Sequence, residues 1–322
     1  MNKNISKALQ IILPLGLGIF LIWYIFQSFS PEQLSETKAY FSKADYGYVL
    51  LSVFLSLISH ITRAYRWGYL LEPMGYRPRL LNNFLAVSVG YLFNIFIPRS
   101  GEVSRAVVLD KYEDVPFQKS FGTIIAERVI DLLFLLFFTT VAVVLEYHIL
   151  YEYILGTIPA SLLVKILIAI GAIALAIPLY IIFSKSKINR KIKNFVFGLK
   201  EGLFSILRMK RKTGFVLLSL AIWVLYVLSF YAALRSLPDT GVLPIGIVII
   251  SFVVGSFTLT FTHNGFGTYP AAMAGILFIF GVAKTAGVAI GWIIWTSNIL
   301  SLLVIGVVSL MILPAYNRQI RK

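Results

Sequence analysis

The chain has 322 residues, of which 58% are hydrophobic and 13% are charged, against about 25% charged in an ordinary soluble domain. It has no cysteine, which excludes disulfides, a thiol nucleophile and a thiolate metal site, and its three histidines are scattered. The net charge of +15 lies between long apolar runs, so it reports membrane topology rather than nucleic-acid binding. We therefore expect no cofactor, no metal and no nucleic-acid partner.

Eight apolar segments follow one another along the chain, most of them long enough to cross a hydrocarbon core of about 30 Å as a helix. They are continuously apolar rather than alternating, which is typical of membrane helices and not of barrel strands. The sequence therefore predicts an all-α polytopic integral membrane protein with a single membrane domain, residues 1–322. The segments lie at 8–28, 46–66, 83–97, 123–146, 159–183, 214–236, 245–282 and 285–313.

The first segment follows Lys3 and Lys7 and resembles a signal peptide in that respect. It is longer than the apolar part of a signal peptide, and Phe29 to Glu32 offers no small-residue cleavage site. We interpret this segment as a retained first span.

Lysine and arginine between the segments predict the orientation, because they concentrate on the cytoplasmic side. The stretch 184–213 has ten basic residues and one acid, Glu201, and is predicted to be cytoplasmic, as are both termini. The connection around Glu146, His148 and Glu152 has no lysine or arginine and is predicted to lie outside.

Two segments conflict with eight simple crossings. Segment 83–97 lies between two cytoplasmic stretches and is only about 15 residues long, so we expect a re-entrant hairpin from the cytoplasm. Segment 245–282 is interrupted by helix-breaking residues at 262–270 and must return to the outside or cross twice more. Six full spans and two broken elements then form two inverted halves, 1–150 and 151–322, a plan common in transporters.

The basic stretch also predicts a helix at 185–212. Apolar residues recur at helical spacing from Ile188 to Ile206, while Lys187, Arg190 and Lys191 take the other face. Such a helix is typical of one lying in the interface against anionic headgroups. The alternative is a charged topology anchor between the two halves.

Three charged clusters lie at predicted membrane depth. Inserting one charged side chain there costs about 2.5–3.5 kcal/mol by insertion scales. Glu127 and Asp131 share a helical face, and Arg128 can pair with Asp131 at three residues' distance. All three clusters are predicted on the cytoplasmic side. They are His60-x-x-Arg63-x-x-Arg66, Pro98-Arg99-Ser100-Gly101-Glu102-x-x-Arg105 and Glu127-Arg128-x-x-Asp131.

The clusters support two readings. In the first, arginines bind a lipid phosphate, which guanidinium groups match in bidentate geometry, and the carboxylates hold the arginines or take up protons. The lipid ligands would be Arg63, Arg66, Arg99 and Arg105, with Glu102, Glu127, Arg128 and Asp131 for charge pairing or proton coupling. In the second, the same charges form an ion-pair network that joins three helices.

These residues resemble motifs of the lysylphosphatidylglycerol synthase transmembrane-region family, a flippase-like family of bacterial membrane proteins. The resemblance covers almost the whole chain. It implies a bacterial or archaeal cytoplasmic-membrane protein with about eight membrane segments. The hypothesis of a translocase places the crossing path along the two broken elements. The motifs are Arg63-x-x-Arg66-Trp67, Asn94-x-x-x-Pro98-x-x-Gly101-Glu102-x-x-Arg105 and Glu127-Arg128-x-x-Asp131, and the pathway residues would be Asn94, Pro98, Gly101, His263, Asn264, Gly265, Gly267 and Tyr269.

Two departures from the family pattern concern the second half. Where the family has Pro-x-Gly-Gly-x-Gly-x-x-Glu, this chain has Thr262 to Pro270, with Tyr269 at the place of the acid. Trp295 stands near the place of the family's last-helix arginine. We therefore expect a different lipid substrate, and no lysyl transfer, because the chain ends nine residues after Leu313.

Three functions remain open at this point. The first is a translocase for an anionic phospholipid or a polyprenyl-linked envelope intermediate in the bacterial cytoplasmic membrane. The second is a membrane-embedded transferase with Glu127 or Asp131 as general base, although no catalytic constellation is recognised. The third is a non-catalytic scaffold for envelope-biosynthesis enzymes. The sequence carries no prediction of the oligomeric state.

Overall fold

A computed structural model describes residues 3–157 and 211–320, together with Lys165 and Met209. Segment 159–183, apart from Lys165, and nearly all of the predicted helix 185–212 lie outside the described residues. The described part contains eleven α-helices and no strand. They are α1 Lys3–Ser28, α2 Pro31–Lys43, α3 Tyr46–Leu71, α4 Leu80–Phe96, α5 Ser100–Glu113, α6 Phe117–Leu145, α7 Tyr147–Thr157, α8 Lys212–Leu234, α9 Ile245–Phe261, α10 Thr268–Ile279 and α11 Lys284–Ile320.

Helices α3, α6, α8 and α11 are long and apolar enough to cross a membrane. Helices α4, α9 and α10 are apolar but shorter, as is the part of α1 from Gly16 onward. The shorter apolar helices fall within predicted membrane segments, except that α4 begins three residues before segment 83–97. The predicted fold class, an all-α polytopic membrane protein, is confirmed.

The bundle has two ends, which the chain visits in a regular order. We call one of them the basic end; helix α3 ends there, and helices α6 and α8 begin there. We call the other one the opposite end. At the basic end, Arg79 forms an ion pair with Glu113 and donates a hydrogen bond to Asn317 near the end of α11. At the opposite end Asp45 N–H donates to Ser236 O. The basic end takes its name from Arg77, Arg79, Lys111, Lys119, Arg211, Lys212 and Arg318.

Helices α4 and α5 form an antiparallel hairpin that starts and stops at the basic end. Asn82 binds Glu113 where the hairpin is open, and Asn94 Oδ1 accepts from Gly101 N–H at 2.7 Å beside its tip. Over its 17 residues α4 rises about 25 Å, a little more than half the length of α6, with 29 residues. The predicted re-entrant element is therefore a hairpin of two helices.

Helices α9 and α10 form the corresponding hairpin from the opposite end. Helix α9 also has 17 residues. The tip of this hairpin, Thr262 to Gly267, needs left-handed backbone at Asn264, Gly265 and Gly267, which glycine adopts at little steric cost. Of the two predictions for segment 245–282, re-entry from the opposite end is the one that the structure shows.

The two halves of the bundle pack as inverted copies. Helix α3 packs antiparallel on α8, with Ser52 against Ser229 and Tyr69 against Gly214. Helix α4 packs on α11, and its counterpart α9 packs on α6. The helices α3, α4, α5 and α6 thus correspond in that order to α8, α9, α10 and α11. When the two sets are exchanged, each pair of helices in contact corresponds to another pair in contact.

The inverted halves share one glycine position. Gly90 and Gly255 are each the eleventh residue of their 17-residue helix. A Cβ atom would lie 2.7 Å from Arg105 Cγ at Gly90 and 2.8 Å from Tyr269 Cε2 at Gly255. Both glycines let the second helix of the hairpin approach the first.

Helix α2 lies outside the eight apolar segments and was not predicted. Ser30 accepts from Gln33 N–H while the Gln33 side chain accepts from Ser30 N–H, a reciprocal capping box, and Pro31 starts the first turn. The helix has too few apolar residues to be found by hydropathy. Its Tyr40 hydroxyl binds Asp239, which joins α2 to the connection after α8.

Candidate functional site: a buried charge network beneath two hairpin tips

Three helices carry the charged side chains to one place, between the basic end and the hairpin tips. Helix α3 presents Arg63 and Arg66 one turn apart, and α6 presents Glu127 and Asp131 on a single face. Arg105 reaches the same carboxylates from α5 of the first hairpin. The shared face predicted for Glu127 and Asp131 is therefore present in the structure.

Both arginines of α3 bridge the two carboxylates. Arg63 Nη1 lies 2.7 Å from Glu127 Oε1 and 2.9 Å from Asp131 Oδ2. Arg66 Nη2 lies 3.0 Å from both Glu127 Oε1 and Asp131 Oδ1. These four short ion pairs hold α3 against α6.

Arg105 binds the other carboxylate oxygen of Glu127. Its Nη2 lies 2.9 Å from Glu127 Oε2, and its guanidinium lies over the Trp67 ring at 4.3 Å from the centroid. The Trp67 indole donates to Thr123 Oγ1 at 2.8 Å. Glu127 thus accepts from three guanidinium groups, and an aromatic face covers one of them.

Helix α8 completes the network with two neutral partners. Arg66 Nη1 donates to Ser219 Oγ at 2.9 Å, and Arg63 Nη2 donates to Tyr226 Oη at 3.0 Å. Neither Ser219 nor Tyr226 is among the site residues predicted from the sequence. Their signal is a spacing of seven within an apolar run, which places two polar side chains on one helical face.

The network is closed to solvent and slightly positive. Arg66 and Glu127 are fully buried, and Arg63 and Arg105 are 4% and 3% exposed. Three guanidinium groups face two carboxylates, which leaves one positive charge unbalanced. Each of the three arginines also has a buried Nε that finds no hydrogen-bond partner among the described residues.

Arg99 lies apart from the other three predicted arginines. It is exposed at the tip of the first hairpin, in left-handed backbone with φ of 62°. Among the described residues it has neither a hydrogen-bond nor an ion-pair partner. The structure therefore brings three of the four predicted phosphate ligands together and separates the fourth.

Arg128 pairs with Glu102, at 2.8 Å, and not with Asp131 as the sequence spacing predicted. Asp131 turns towards Arg63 and Arg66, whereas Arg128 points to the first hairpin. The pair is only partly buried, with 43% of the Arg128 side chain and 21% of the Glu102 side chain exposed. It therefore forms an outer pair between the closed network and the hairpin tip.

The two hairpin tips touch. The Asn264 side chain donates to Asn94 O at 2.9 Å and to Ile95 O at 3.3 Å. Trp295 Nε1 donates to Asn264 O at 2.7 Å and supports the second tip from α11. His263 Nδ1 is buried there and has no hydrogen-bond partner in the part of the chain that the structure describes. Several predicted pathway residues thus meet at one contact between the halves.

The remaining predicted pathway residues shape the tips. Pro98 is exposed in the first tip, and a Cβ at Gly101 would lie 2.2 Å from Gly90 O. Tyr269 is buried against α9, and both it and Trp295 contact Gly265. In the residues that the structure describes, no group of three acidic or histidine side chains could hold a metal ion.

Comparison with known proteins identifies the family. Residues 11–306 match the lysylphosphatidylglycerol synthase TM region family. The chain belongs to this family. No solved structure matches this family member.

Relatives of this family member include archaeal proteins named UPF0104 membrane protein. One from Methanocaldococcus jannaschii is 26% identical, covering 76% of this chain and 78% of that protein. One from Pyrococcus horikoshii is 23% identical, covering 88% and 90%. One from Methanothermobacter thermautotrophicus is 25% identical, covering 74% and 76%. The resemblance recognised in the motifs is confirmed.

Proposed function

We propose that this protein is a lipid translocase that moves a phosphate-bearing lipid across its membrane. The observation that carries the proposal is the pair of opposed hairpins whose tips meet through Asn264. In transporters built from inverted repeats, broken elements at matching positions surround a substrate site near the midplane. Among the described residues two hydrogen bonds join the tips, and a contact of this size can open without unfolding either half.

Arg99 is the first candidate for the headgroup ligand. It has no partner in the described structure, and it stands at the tip, about 25 Å from the basic end along the 17 residues of α4. An unpaired guanidinium at that depth is costly, whereas a lipid phosphate would supply its counter-ion in bidentate geometry. Arg128 is the second candidate, since its bond to Glu102 is the partly exposed one.

The buried network has a positioning role in this proposal. Arg63, Arg66 and Arg105 already bind carboxylates at 2.7–3.0 Å, so a phosphate would first have to displace Glu127 or Asp131. We therefore assign lipid binding to the tip and the holding of α3, α5, α6 and α8 to the network. Because Glu127 accepts from three arginines, it is poorly suited to act as a general base.

The chain is a multi-pass membrane protein of its family, and we propose a prokaryotic cytoplasmic membrane with the basic end inside. The basic residues at the ends of α3, α8 and α11 support this orientation. The proposed substrates are an anionic phospholipid or a polyprenyl-linked lipid, both of which carry a phosphate.

A flipping assay in liposomes tests the proposal. The purified protein is reconstituted with a fluorescent phosphatidylglycerol or polyprenyl phosphate, and the rate of its appearance in the other leaflet is measured. We expect Arg99→Gln to lower the rate about tenfold or more, because a hydrogen bond to a charged group contributes about 1.5–3 kcal/mol.

The matched control is Arg77→Gln at the basic end. The Arg77 side chain is 83% exposed and pairs only with Glu72 among the described residues, so this variant should flip lipid like the wild type. If the wild type is no faster than protein-free liposomes for every phosphate-bearing lipid, the translocase proposal is wrong. If Arg99→Gln matches the wild type, the role of Arg99 is wrong.

A further inference from the structure

Arg235 at the opposite end of the bundle has no carboxylate partner among the described residues. Its guanidinium lies over the rings of Tyr48 and Tyr231, at 5.6 and 6.0 Å from their centroids, and donates to the Tyr231 hydroxyl at 3.3 Å. The nearby Asp45 is the N-cap of α3 and accepts from Gly47 N–H. Asp45 forms no ion pair with Arg235. Arg235 is exposed and keeps its positive charge uncompensated.

An apolar groove begins at Arg235 and runs between α3 and α8. Its volume is about 270 Å³. From Tyr48 to Leu55 it extends about 10 Å along α3, seven residues at 1.5 Å each. Leu51 and Leu228, one on each helix, are both 44% exposed. The groove is lined by Tyr48, Leu51, Leu55, Leu228, Tyr231 and Ala232 beside the arginine.

Tyrosines around Arg235 indicate the depth of this groove. Tyrosine concentrates at the membrane–water interface, where its ring lies at headgroup level. This end of the bundle carries exposed tyrosines on α3 and α7, namely Tyr46, Tyr147, Tyr151 and Tyr153. Arg235 therefore lies at the level of lipid phosphates, and the groove leads from that level into the hydrocarbon.

We propose that this groove binds an anionic phospholipid of the adjacent leaflet, with the phosphate on Arg235 and one acyl chain between α3 and α8. The guanidinium matches the phosphate in charge and geometry, the Tyr231 hydroxyl is a neighbouring donor, and the leucines match the chain. Arg235 itself follows the last residue of α8, nine residues after Tyr226 of the buried network. The proposal does not rest on translocation, because a lipid held there also serves to seal α3 against α8.

Native mass spectrometry tests this site. The protein is purified from nanodiscs with equal amounts of phosphatidylcholine and phosphatidylglycerol, and the lipids that stay bound after detergent release are measured. We expect the wild type to retain one phosphatidylglycerol. Arg235→Gln should lower that retention about tenfold, the effect of losing one hydrogen bond to a charged group.

A second variant and a control make the result specific. Leu55→Trp fills the groove and leaves the arginine in place, so it should also lower phosphatidylglycerol retention. Lys43→Gln removes an exposed cation at the same end and should not. Unchanged retention in both Arg235→Gln and Leu55→Trp would overturn the proposal. An equal loss in Lys43→Gln would also overturn it, because retention would then follow net charge.

Discussion

Glu127 is the residue on which the buried network depends. Its two oxygens accept from Arg63, Arg66 and Arg105, which come from helices α3 and α5. Removing one partner of a buried ion pair leaves the others charged and unsolvated, and the free energy of unfolding falls by about 3–5 kcal/mol. A pair that is partly exposed contributes about 0–1 kcal/mol.

These magnitudes predict different stabilities for two glutamate variants. Glu127→Gln keeps the shape of the side chain but leaves Arg63 and Arg66 with Asp131 alone, and Arg105 with no carboxylate among the described residues. Its thermal unfolding temperature should therefore fall strongly. Glu102→Gln loses only the outer bond to Arg128 and should unfold close to the wild type. Thermal unfolding in detergent, followed by tryptophan fluorescence, measures both.

A second change in the same network checks the cause. Because interacting charges are non-additive, Arg105→Gln added to Glu127→Gln should recover part of the lost stability. Equal unfolding temperatures for Glu127→Gln and Glu102→Gln would show that the network is not what stabilises the four helices.

At the scale of elements, close helix approaches hold the hairpins in place. The second hairpin tip is seated on α1, where Gly18 lies against Phe266. A Cβ at Gly18 would be 2.2 Å from Phe266 O, well inside van der Waals contact, whereas a Cβ at Gly16 would meet nothing within 4 Å. One helix thus offers a crowded glycine and an open one two residues apart.

We predict opposite effects of alanine at these two glycines. Both variants gain up to about 1 kcal/mol of helix propensity, but Gly18→Ala forces α1 from the tip, which costs about 1–3 kcal/mol as overpacking does. Gly16→Ala should therefore raise the unfolding temperature slightly, and Gly18→Ala should lower it. Equal shifts in the two variants would contradict the seating of α1 on the second tip.

For the whole molecule, the fold and the charge distribution together predict a topology. Helix α6 runs from the basic end to the opposite end, so its two flanks should face opposite sides of the membrane. Gln118 and His148 are exposed on these flanks. The chain contains no cysteine, so single cysteines can be introduced without background.

In intact cells, a membrane-impermeant maleimide should label His148→Cys. Gln118→Cys should react only after permeabilisation, because basic connections stay in the cytoplasm. Labelling of both from the same side would contradict the crossing of α6, and the reverse pattern would invert the proposed orientation while leaving the fold unchanged.

Much of the fold could be predicted from the sequence because the bilayer acts on each segment separately. Hydrocarbon thickness decides which apolar runs can span, and the cost of moving lysine and arginine decides which side their ends take. These two constraints predicted the membrane segments, the first re-entrant hairpin and the inverted halves. They did not predict α2, which lies outside the apolar segments and is defined by its cap.

The partners within the site were decided by tertiary structure. Helical spacing placed Glu127 and Asp131 on one face, but the rotation of α6 against α3 and α5 determined that Arg128 binds Glu102. Arg99 is separated from the other three arginines, and Asn264 is hydrogen-bonded to Asn94. Spacing along one helix cannot predict either relation, because the residues concerned lie on different elements. Local composition therefore determined which segments enter the membrane, because the bilayer acts on each segment separately. Packing between distant helices determined the position of Arg99 at the hairpin tip and the partner that each charge meets.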